Sequence, residues 1–323
     1  VDVSSLEREI KKYEDRELKI GAFSGCSNVT GLMPPYYQLA EIMHEHGGYC
    51  FVDFAASAPY VKIDMHPENK KQQLDAIFFS PHKFLGGPGS CGILVFSHEL
   101  YQNETPDHSG GGTVSWTDRW GRRRYIDDVE AREDGGTPGF LQAFRAAMSI
   151  NLKQKMKCEN IRQREDELIP VIFENLRKIP KIHILADEVE DRLGVFSFYV
   201  EGIHHNLLVR LLNDRYGIQV RGGCSCAGTY GHFLLHVDIL QSKRITERID
   251  SGDLSLKPGW VRMSIHPTMT NDEIAYILNA INEVTKHAAE WEKDYFYQSS
   301  TNEFFHRHFH KKEQEDFRNW FAL

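Results

Sequence analysis

The stretch that most constrains this chain is the turn at residues 80–90, with the sequence SPHKFLGGPGS. It lies between two short apolar runs, at residues 76–79 and 91–96. Runs of this length bounded by Gly and Pro predict buried strands of an α/β sheet. Lys83 therefore follows a strand directly, at the carboxyl edge of the predicted sheet. That edge is where α/β proteins bind their ligands.

The residues beside Lys83 suit an anionic ligand. Ser80 and His82 flank the lysine and can donate hydrogen bonds to an anion. The alternative is a solvated lysine at a surface turn. Two runs upstream favour a binding site: residues 49–53 end in Asp53, and residues 20–23 lead into a polar loop that contains Asn28. An acid that closes a buried strand is costly without a cationic partner.

This order of strands and polar residues resembles the class V aminotransferase-like, fold-type I enzymes that use pyridoxal phosphate (PLP). The resemblance is closest to the cysteine desulfurase and selenocysteine lyase branch. In that family a lysine forms a Schiff base with PLP and an aspartate pairs with the pyridine nitrogen. The resemblance assigns these roles to Lys83 and Asp53. It further assigns contacts near the phosphate to Ser80 and His82, and a ring-hydroxyl or substrate contact to Asn28.

A second motif, RGGCSCA at residues 221–227, resembles the Arg-x-Gly-x-x-Cys-Ala loop of cysteine desulfurases. The alignment sets Cys226 on the cysteine that carries the persulfide in that family. A free cysteine is more commonly a small buried hydrophobe, but a Gly-rich loop beside Arg221 favours an exposed, reactive thiol. Cys224 is an extra thiol, similar to the Cys-x-Cys of molybdenum-cofactor sulfurases, and a candidate for resolving a persulfide.

Two further residues are matched to family roles. Arg262 corresponds to the arginine that grips the substrate carboxylate, a task that suits the planar fork of a guanidinium. Its alternative is an arginine that closes a strand at the surface. Thr137, in the sequence GGTP, corresponds to the threonine that reaches the PLP of the neighbouring subunit. The resemblance therefore implies a homodimer.

The sequence departs from the family pattern in three ways. Ala56 stands where the family has a glutamine that bonds the PLP ring oxygen, and the Tyr-Asn that follows the Arg262 strand in the family is absent. The family also has a Gly/Thr phosphate loop and a ring-stacking residue upstream of the Asn28 loop. We therefore expect an N-terminally incomplete large domain, with weak PLP binding or poor solubility.

Composition excludes several functional classes. The chain of 323 residues has a formal net charge of −8, which argues against a general nucleic-acid binder. It contains no apolar run of about 18 residues, so we expect no membrane span. Its six cysteines are scattered, which suits a reducing cytoplasm. The pair Cys224 and Cys226 has no second pair, so we expect no zinc site.

The order of predicted elements gives the fold class and domains. Strands that alternate with helices predict an α/β large domain with a mainly parallel, doubly wound sheet, followed by a smaller α+β domain. We expect the large domain at 1–145, a linking helix at 146–178, the small domain at 179–297 and a polar tail at 298–323. The alternating His306, His308 and His310 in that tail are interpreted as surface residues rather than a metal site.

The function that follows from the resemblance is removal of sulfur or selenium from cysteine or selenocysteine, giving alanine and a persulfide on Cys226. The partners implied are an amino-acid substrate and a sulfur-acceptor protein. Three alternatives stay open: another class V PLP reaction, such as a lyase, epimerase or transaminase; a molybdenum-cofactor sulfurase-like protein; and a non-catalytic partner with a decayed PLP site.

Overall fold

The computed structural model describes residues 2–308 and 319–320, and the predicted α/β class is confirmed. The chain divides into two compact units. Unit 1 contains the chain through Cys26 together with Met33–Asn160. Unit 2 contains Ser27–Leu32 and the chain from Ile161 onward. The Asn28 loop, which was expected in the large domain, therefore belongs to unit 2.

Unit 1 is built on a four-stranded sheet in which three strands are parallel. The strands, in spatial order, are β1 (Ile20–Ser24), β2 (Tyr49–Asp53), β3 (Ala76–Phe79) and β4 (Ile93–Phe96). β4 alone runs antiparallel to its neighbour. Ser24 pairs with Asp53, and Asp53 with Phe78, so the three parallel strands end at one edge of the sheet. Asp53 and the Lys83 turn thus share that edge.

Helices and a small ribbon complete unit 1. They are α1 (Val3–Ile10), α2 (Tyr36–Glu45), the ribbon β5 (Val114–Thr117) with β6 (Arg123–Tyr125), α3 (Val129–Glu133) and α4 (Phe140–Met156). Ala40 of α2 packs into a buried cluster with strand residues Cys50, Val52 and Ile77. Cys50 and Val52 are alternate residues of β2, so their side chains lie on the same face of the sheet as this cluster.

Unit 2 is an antiparallel sheet packed against helices. Its strands lie in the order β7 (Ile182–Ile184), β8 (Val195–Val200), β10 (Trp260–Ser264) and β9 (Arg221–Gly223). Its helices are α5 (Cys158–Arg177), α6 (His205–Tyr216), α7 (Gly228–Leu234), α8 (Ile239–Asp250) and α9 (Asn271–Trp291). Apolar residues of α5, α6, α9, β8 and β10 form one buried cluster. This core positions β9 and the cysteine loop that follows it.

The linking helix expected at 146–178 is instead two helices, α4 and α5. Lys157 separates them with a φ of 63°, a left-handed conformation that interrupts a helix. The spacing of apolar residues over 139–178 was compatible with one long helix or with a broken pair, and the structure shows the pair.

The expectation of a polar tail from residue 298 is wrong for its first part. β11 (Tyr295–Gln298) pairs with β12 (Glu303–His306) as an antiparallel hairpin. Tyr295 and Phe304 are buried in the core of unit 2, and their packing fixes the hairpin. His308 follows the hairpin, whereas His310 lies outside the described residues. Across residues 2–308 and 319–320 no group of three side chains is placed to hold a metal ion.

Among the helices that the structure describes, none combines the length and the apolar character that a membrane crossing requires.

Candidate functional site

The Lys83 turn is a single 3₁₀ turn that follows β3 directly. The Lys83 N–H donates to the Ser80 carbonyl at 3.0 Å, and the Phe84 N–H donates to the Pro81 carbonyl at 2.9 Å. Pro81 and Phe84 are buried and anchor the turn, while Lys83 is exposed. The turn therefore presents the lysine at the carboxyl edge of the sheet. His82 is exposed beside it, and Ser80 is half-buried.

Close backbone packing holds this turn. A Cβ on Gly87 would lie 1.8 Å from the carbonyl oxygen of Pro81, so only glycine fits there. Arg145 of α4 donates from Nη1 to the Pro88 carbonyl at 2.7 Å, and Lys153 donates to the Val61 carbonyl. Burial lowers the pKa of the Lys153 ammonium. Sequence reasoning missed both residues, because the two hydrogen bonds join positions that are 57 and 92 residues apart in the chain.

Asp53 ends β2 and is half-buried at the same sheet edge as Lys83. One carboxylate oxygen accepts the Ala55 N–H at 2.8 Å, and the Asp53 carbonyl accepts the Gly25 N–H at 2.7 Å. Among the described residues, neither the Asp53 carboxylate nor the Lys83 ammonium forms an ion pair. Both head groups are therefore available to a third group bound at this edge.

The predicted cysteine loop presents Cys226 to solvent. Ser225 and Cys226 have φ angles of 50° and 61°, in the left-handed region that non-glycine residues seldom adopt. Such conformations persist where the surroundings enforce them, and they cluster at functional sites. Arg221 Nη2 donates to Cys226 Sγ at 3.3 Å. A guanidinium in hydrogen-bond contact with this sulfur can stabilise negative charge that develops on it.

Cys224 differs from Cys226 in environment. Cys224 is half-buried, and its S–H donates to the Pro258 carbonyl at 2.8 Å. Burial raises the pKa of the Cys224 thiol, with a smaller opposing effect from the charge of Lys257. Cys224 is thus held as a protonated donor, whereas Cys226 is exposed beside a cation. The two thiols are only two positions apart, and the structure distinguishes them where sequence did not.

Hydrogen bonds connect Arg262 to Asn28, and Asn28 to the cysteine loop. Asn28 Nδ2 donates to the Ser225 carbonyl at 2.7 Å, and Arg262 Nη1 donates to the Asn28 carbonyl at 3.1 Å. Arg262 also lies opposite Arg221 in the β10–β9 pairing. Within unit 2 the structure therefore brings together three sequence-predicted residues: Asn28, Arg262 and Cys226.

Thr137 is exposed in the unit 1 loop that precedes α4. Its neighbours pack against the other glycine stretch of unit 1. The Gly136 N–H donates to the Gly111 carbonyl at 2.8 Å, and a Cβ on Gly110 would meet the Gly135 carbonyl carbon at 3.0 Å. The glycines thus allow two loops to touch backbone to backbone, and the role of Thr137 stays a prediction.

Comparison with known proteins identifies the family. The chain belongs to the class-V aminotransferases, because the family model described as Aminotransferase class-V matches residues 2–277. The sequence is 34% identical over 206 residues to a "Probable cysteine desulfurase" of Halobacterium salinarum, covering 62% of this chain and 46% of that protein. A "Probable cysteine desulfurase" of Staphylococcus epidermidis is 33% identical over 222 residues, covering 68% and 51%. The chain thus spans about half the length of the curated relatives it matches.

Solved structures agree with this assignment. The apo structure of a cysteine desulfurase from Thermococcus onnurineus superposes with a TM-score of 0.69 at 25% identity. The match covers 88% of this chain and 63% of that one. The predicted fold-type I architecture is therefore confirmed.

Gly87→Ala tests the geometry of the Lys83 turn. The added methyl group would overlap the Pro81 carbonyl, so we expect a loss of unfolding free energy of about 1–3 kcal/mol, the usual cost of overpacking. Thermal or denaturant unfolding measures it. Gly92→Ala is the matched control, because a Cβ there has no atom within 4 Å. Equal stability of the two variants would contradict this view of the turn.

Proposed function

We propose that the whole protein is a PLP-dependent enzyme of the cysteine desulfurase type, which removes sulfur from cysteine to give alanine and a persulfide on Cys226. The observation that carries the proposal is the exposed Cys226 sulfur, 3.3 Å from the Arg221 guanidinium. The family resemblance also implies a lysine that carries the cofactor. Lys83, directly after β3, occupies the position of that lysine. The family resemblance also implies selenocysteine as a substrate, from which the enzyme would remove selenium.

The residues at the edge of the unit 1 sheet fit PLP. Lys83 offers an exposed amine for the cofactor aldehyde, and the Asp53 carboxylate suits a protonated ring nitrogen. Ser80 and His82 supply hydrogen-bond donors for the phosphate. Ala56 contributes no hydrogen bond where the family has a glutamine. The fit is therefore good for the covalent and ring-nitrogen contacts and weaker around the ring oxygen.

PLP, when bound, supplies the electron sink that makes bonds around the substrate Cα labile. In this protein Lys83 would hold the cofactor and, once released, carry protons to and from Cα. Asp53 would keep the ring nitrogen protonated by its negative charge. Asn28 would contact the ring hydroxyl or the substrate, and Arg262 would bind the substrate carboxylate through its planar fork.

Cys226 would act as the nucleophile toward the substrate sulfur. The thiolate attacks that sulfur, the bond between the sulfur and the substrate Cβ breaks, and its electron pair stays with the carbon fragment. Protonation of the fragment completes alanine, and the sulfur remains on Cys226 as a persulfide. Arg221 donates to Cys226 Sγ and would stabilise negative charge on that sulfur during the attack. Cys224 takes no direct part, since its S–H is committed to the Pro258 carbonyl.

Other class V reactions are the second candidate, and Ala56 and the missing Tyr-Asn favour them. Such a lyase, epimerase or transaminase would use Lys83 and Asp53 but would not need Cys226. The molybdenum-cofactor sulfurase alternative draws support only from the spacing of Cys224 and Cys226, and the half-buried Cys224 thiol, which donates to the Pro258 carbonyl, weakens it. A non-catalytic partner with a decayed PLP site would show no cofactor bound to Lys83.

We further propose that the protein works as a cytoplasmic homodimer that passes sulfur to an acceptor. All six cysteines are free, which suits a reducing compartment. Helix α4 exposes large apolar side chains, with exposed fractions of 81% for Leu141 and 67% for Phe144. A contiguous apolar face of this kind marks an interaction surface. Thr137, just before α4, would then contact the PLP phosphate of the neighbouring subunit.

Lys83 should be the residue that binds PLP. Borohydride reduction of the PLP-loaded whole protein, followed by peptide mapping, is expected to label Lys83 and to leave Lys83→Ala unlabelled. Lys153 is the internal control, since its ammonium already donates to the Val61 carbonyl. A label on Lys153 or on any other lysine would overturn the site assignment.

Cys226→Ser should abolish alanine formation from cysteine, with a loss of at least about a hundredfold, because the nucleophile is removed. Cys224→Ser should change the rate less than about threefold, since that thiol serves only as a hydrogen-bond donor. Alanine released from L-cysteine in the presence of PLP is the measured quantity. Full activity of Cys226→Ser would favour the lyase, epimerase or transaminase candidates instead.

The whole protein should sediment as a dimer at micromolar concentration. Replacing Leu141 and Phe144 together by glutamate places two charges on the exposed face of α4, and we expect this variant to sediment as a monomer. Val171→Glu, at an exposed apolar position on α5, is the matched control and should remain dimeric. A monomeric unmodified protein, or a dimer that survives the double substitution, would count against α4 as the interface.

A further inference from the structure

A cleft of about 950 Å³ opens within unit 2 beside the cysteine loop. Residues 219–228 of β9 and the loop form one side, and residues 301–305 of the β11–β12 hairpin form another. The hairpin lies beyond residue 277, where the family match ends. The volume of the cleft falls in the range of sites that hold small molecules. The cleft is therefore a pocket that this chain builds partly from its own C-terminal segment.

The hairpin is a fixed wall of the cleft. Asn206 of α6 donates from its side-chain amide to the Asn302 carbonyl, which ties the hairpin turn to the helix. Phe304 is buried in the core of unit 2 and holds the strand in place. The space between hairpin and cysteine loop is therefore set by packing, as a binding site for a compact ligand requires.

The charges around the cleft favour an anion. Arg221 and Lys257 line it and are exposed, and neither contacts a carboxylate within ion-pair distance among the described residues. Arg210 also lines it but is paired with Asp214 at 2.9 Å. Glu303 is the acidic residue of the lining. Two uncompensated cations thus lie near Cys226, and one acid lies on the hairpin side.

Ser225 gives an independent sign of a ligand. This residue lines the cleft and is only 3% exposed, yet its hydroxyl has no hydrogen-bond partner in the described part of the chain. A buried hydroxyl without a partner is costly. A polar group bound in the cleft would supply the missing partner, directly beside Cys226.

We propose that this cleft binds a small thiol that carries carboxylates, and that this thiol accepts sulfur from Cys226. The inference rests on the proposed function, which loads the sulfur. The acceptor thiolate attacks the outer sulfur of the Cys226 persulfide, and the bond between the two persulfide sulfurs breaks. The electron pair leaves with Cys226 Sγ, while the acceptor becomes a persulfide. No outside oxidant or reductant is consumed.

Arg221 and Lys257 have different roles in this step. Arg221 Nη2, 3.3 Å from Cys226 Sγ, stabilises the thiolate that departs. Lys257 is close enough to the loop for its charge to influence the pKa of Cys224, which burial raises, so it can attract the carboxylates of the acceptor. A protein acceptor would instead add an extended segment along the outer edge of β9. A cleft of this volume, bounded by the hairpin and the cysteine loop, favours the small thiol.

The test loads Cys226 chemically, so that it needs neither PLP nor turnover. The Cys224→Ala chain is treated with inorganic polysulfide, and the sulfur on the Cys226 peptide is followed by mass spectrometry during a chase with glutathione. We expect a rate that saturates with glutathione, and a linear dependence on 2-mercaptoethanol, which has no carboxylate. Lys257→Glu should raise the half-saturating glutathione concentration about five- to tenfold.

Lys243→Glu is the matched control, because it reverses the same charge on an exposed position of α8 outside the cleft. It should leave the glutathione dependence unchanged. The proposal would be overturned if the rate depended linearly on both thiols, or if the two substitutions had equal effects. It would also be overturned if a longer cysteine-bearing peptide saturated the rate and glutathione did not. Failure of the proposed function looks different: glutathione still discharges Cys226, but cysteine yields no alanine.

Discussion

The parallel alignment of β1, β2 and β3 is the constraint on which the unit 1 site depends. Parallel strands end at one edge of a sheet, so the register that pairs Ser24 with Asp53 also carries the Lys83 turn to that edge. The turn can follow β3 so tightly only because Gly87 leaves room for the Pro81 carbonyl. Lysine and aspartate are thus placed by backbone geometry rather than by a direct bond between them.

In unit 2 the decisive feature is the contrast between two nearby thiols. The left-handed backbone at Ser225 and Cys226 turns the second thiol outward, toward the Arg221 guanidinium. Cys224 stays partly inside, donating to the Pro258 carbonyl. Asn28 helps to hold this arrangement through the Ser225 carbonyl. The loop thus exposes the Cys226 thiol and keeps the Cys224 thiol hydrogen-bonded, and the proposed persulfide chemistry depends on this contrast.

The sequence was sufficient for the parts of the molecule that depend on local pattern. Short apolar runs located β1 to β4, and polar residues at their ends located Lys83 and Asp53. It failed where distant contacts decide: Tyr295 and Phe304 are buried in the core of unit 2, so a hairpin forms where a polar tail was expected. The roles of Arg145 and of the cleft wall near Asn302 were invisible for the same reason.

The most direct test of the account is where sulfur resides after a single turnover. The whole protein, loaded with PLP, is mixed with L-cysteine, digested, and its cysteine peptides are measured by mass spectrometry, with Cys224→Ala resolving the shared peptide. The account predicts one added sulfur on Cys226, both in the unmodified protein and in Cys224→Ala. Sulfur on Cys224, or alanine formation with no sulfur on either thiol, would contradict it.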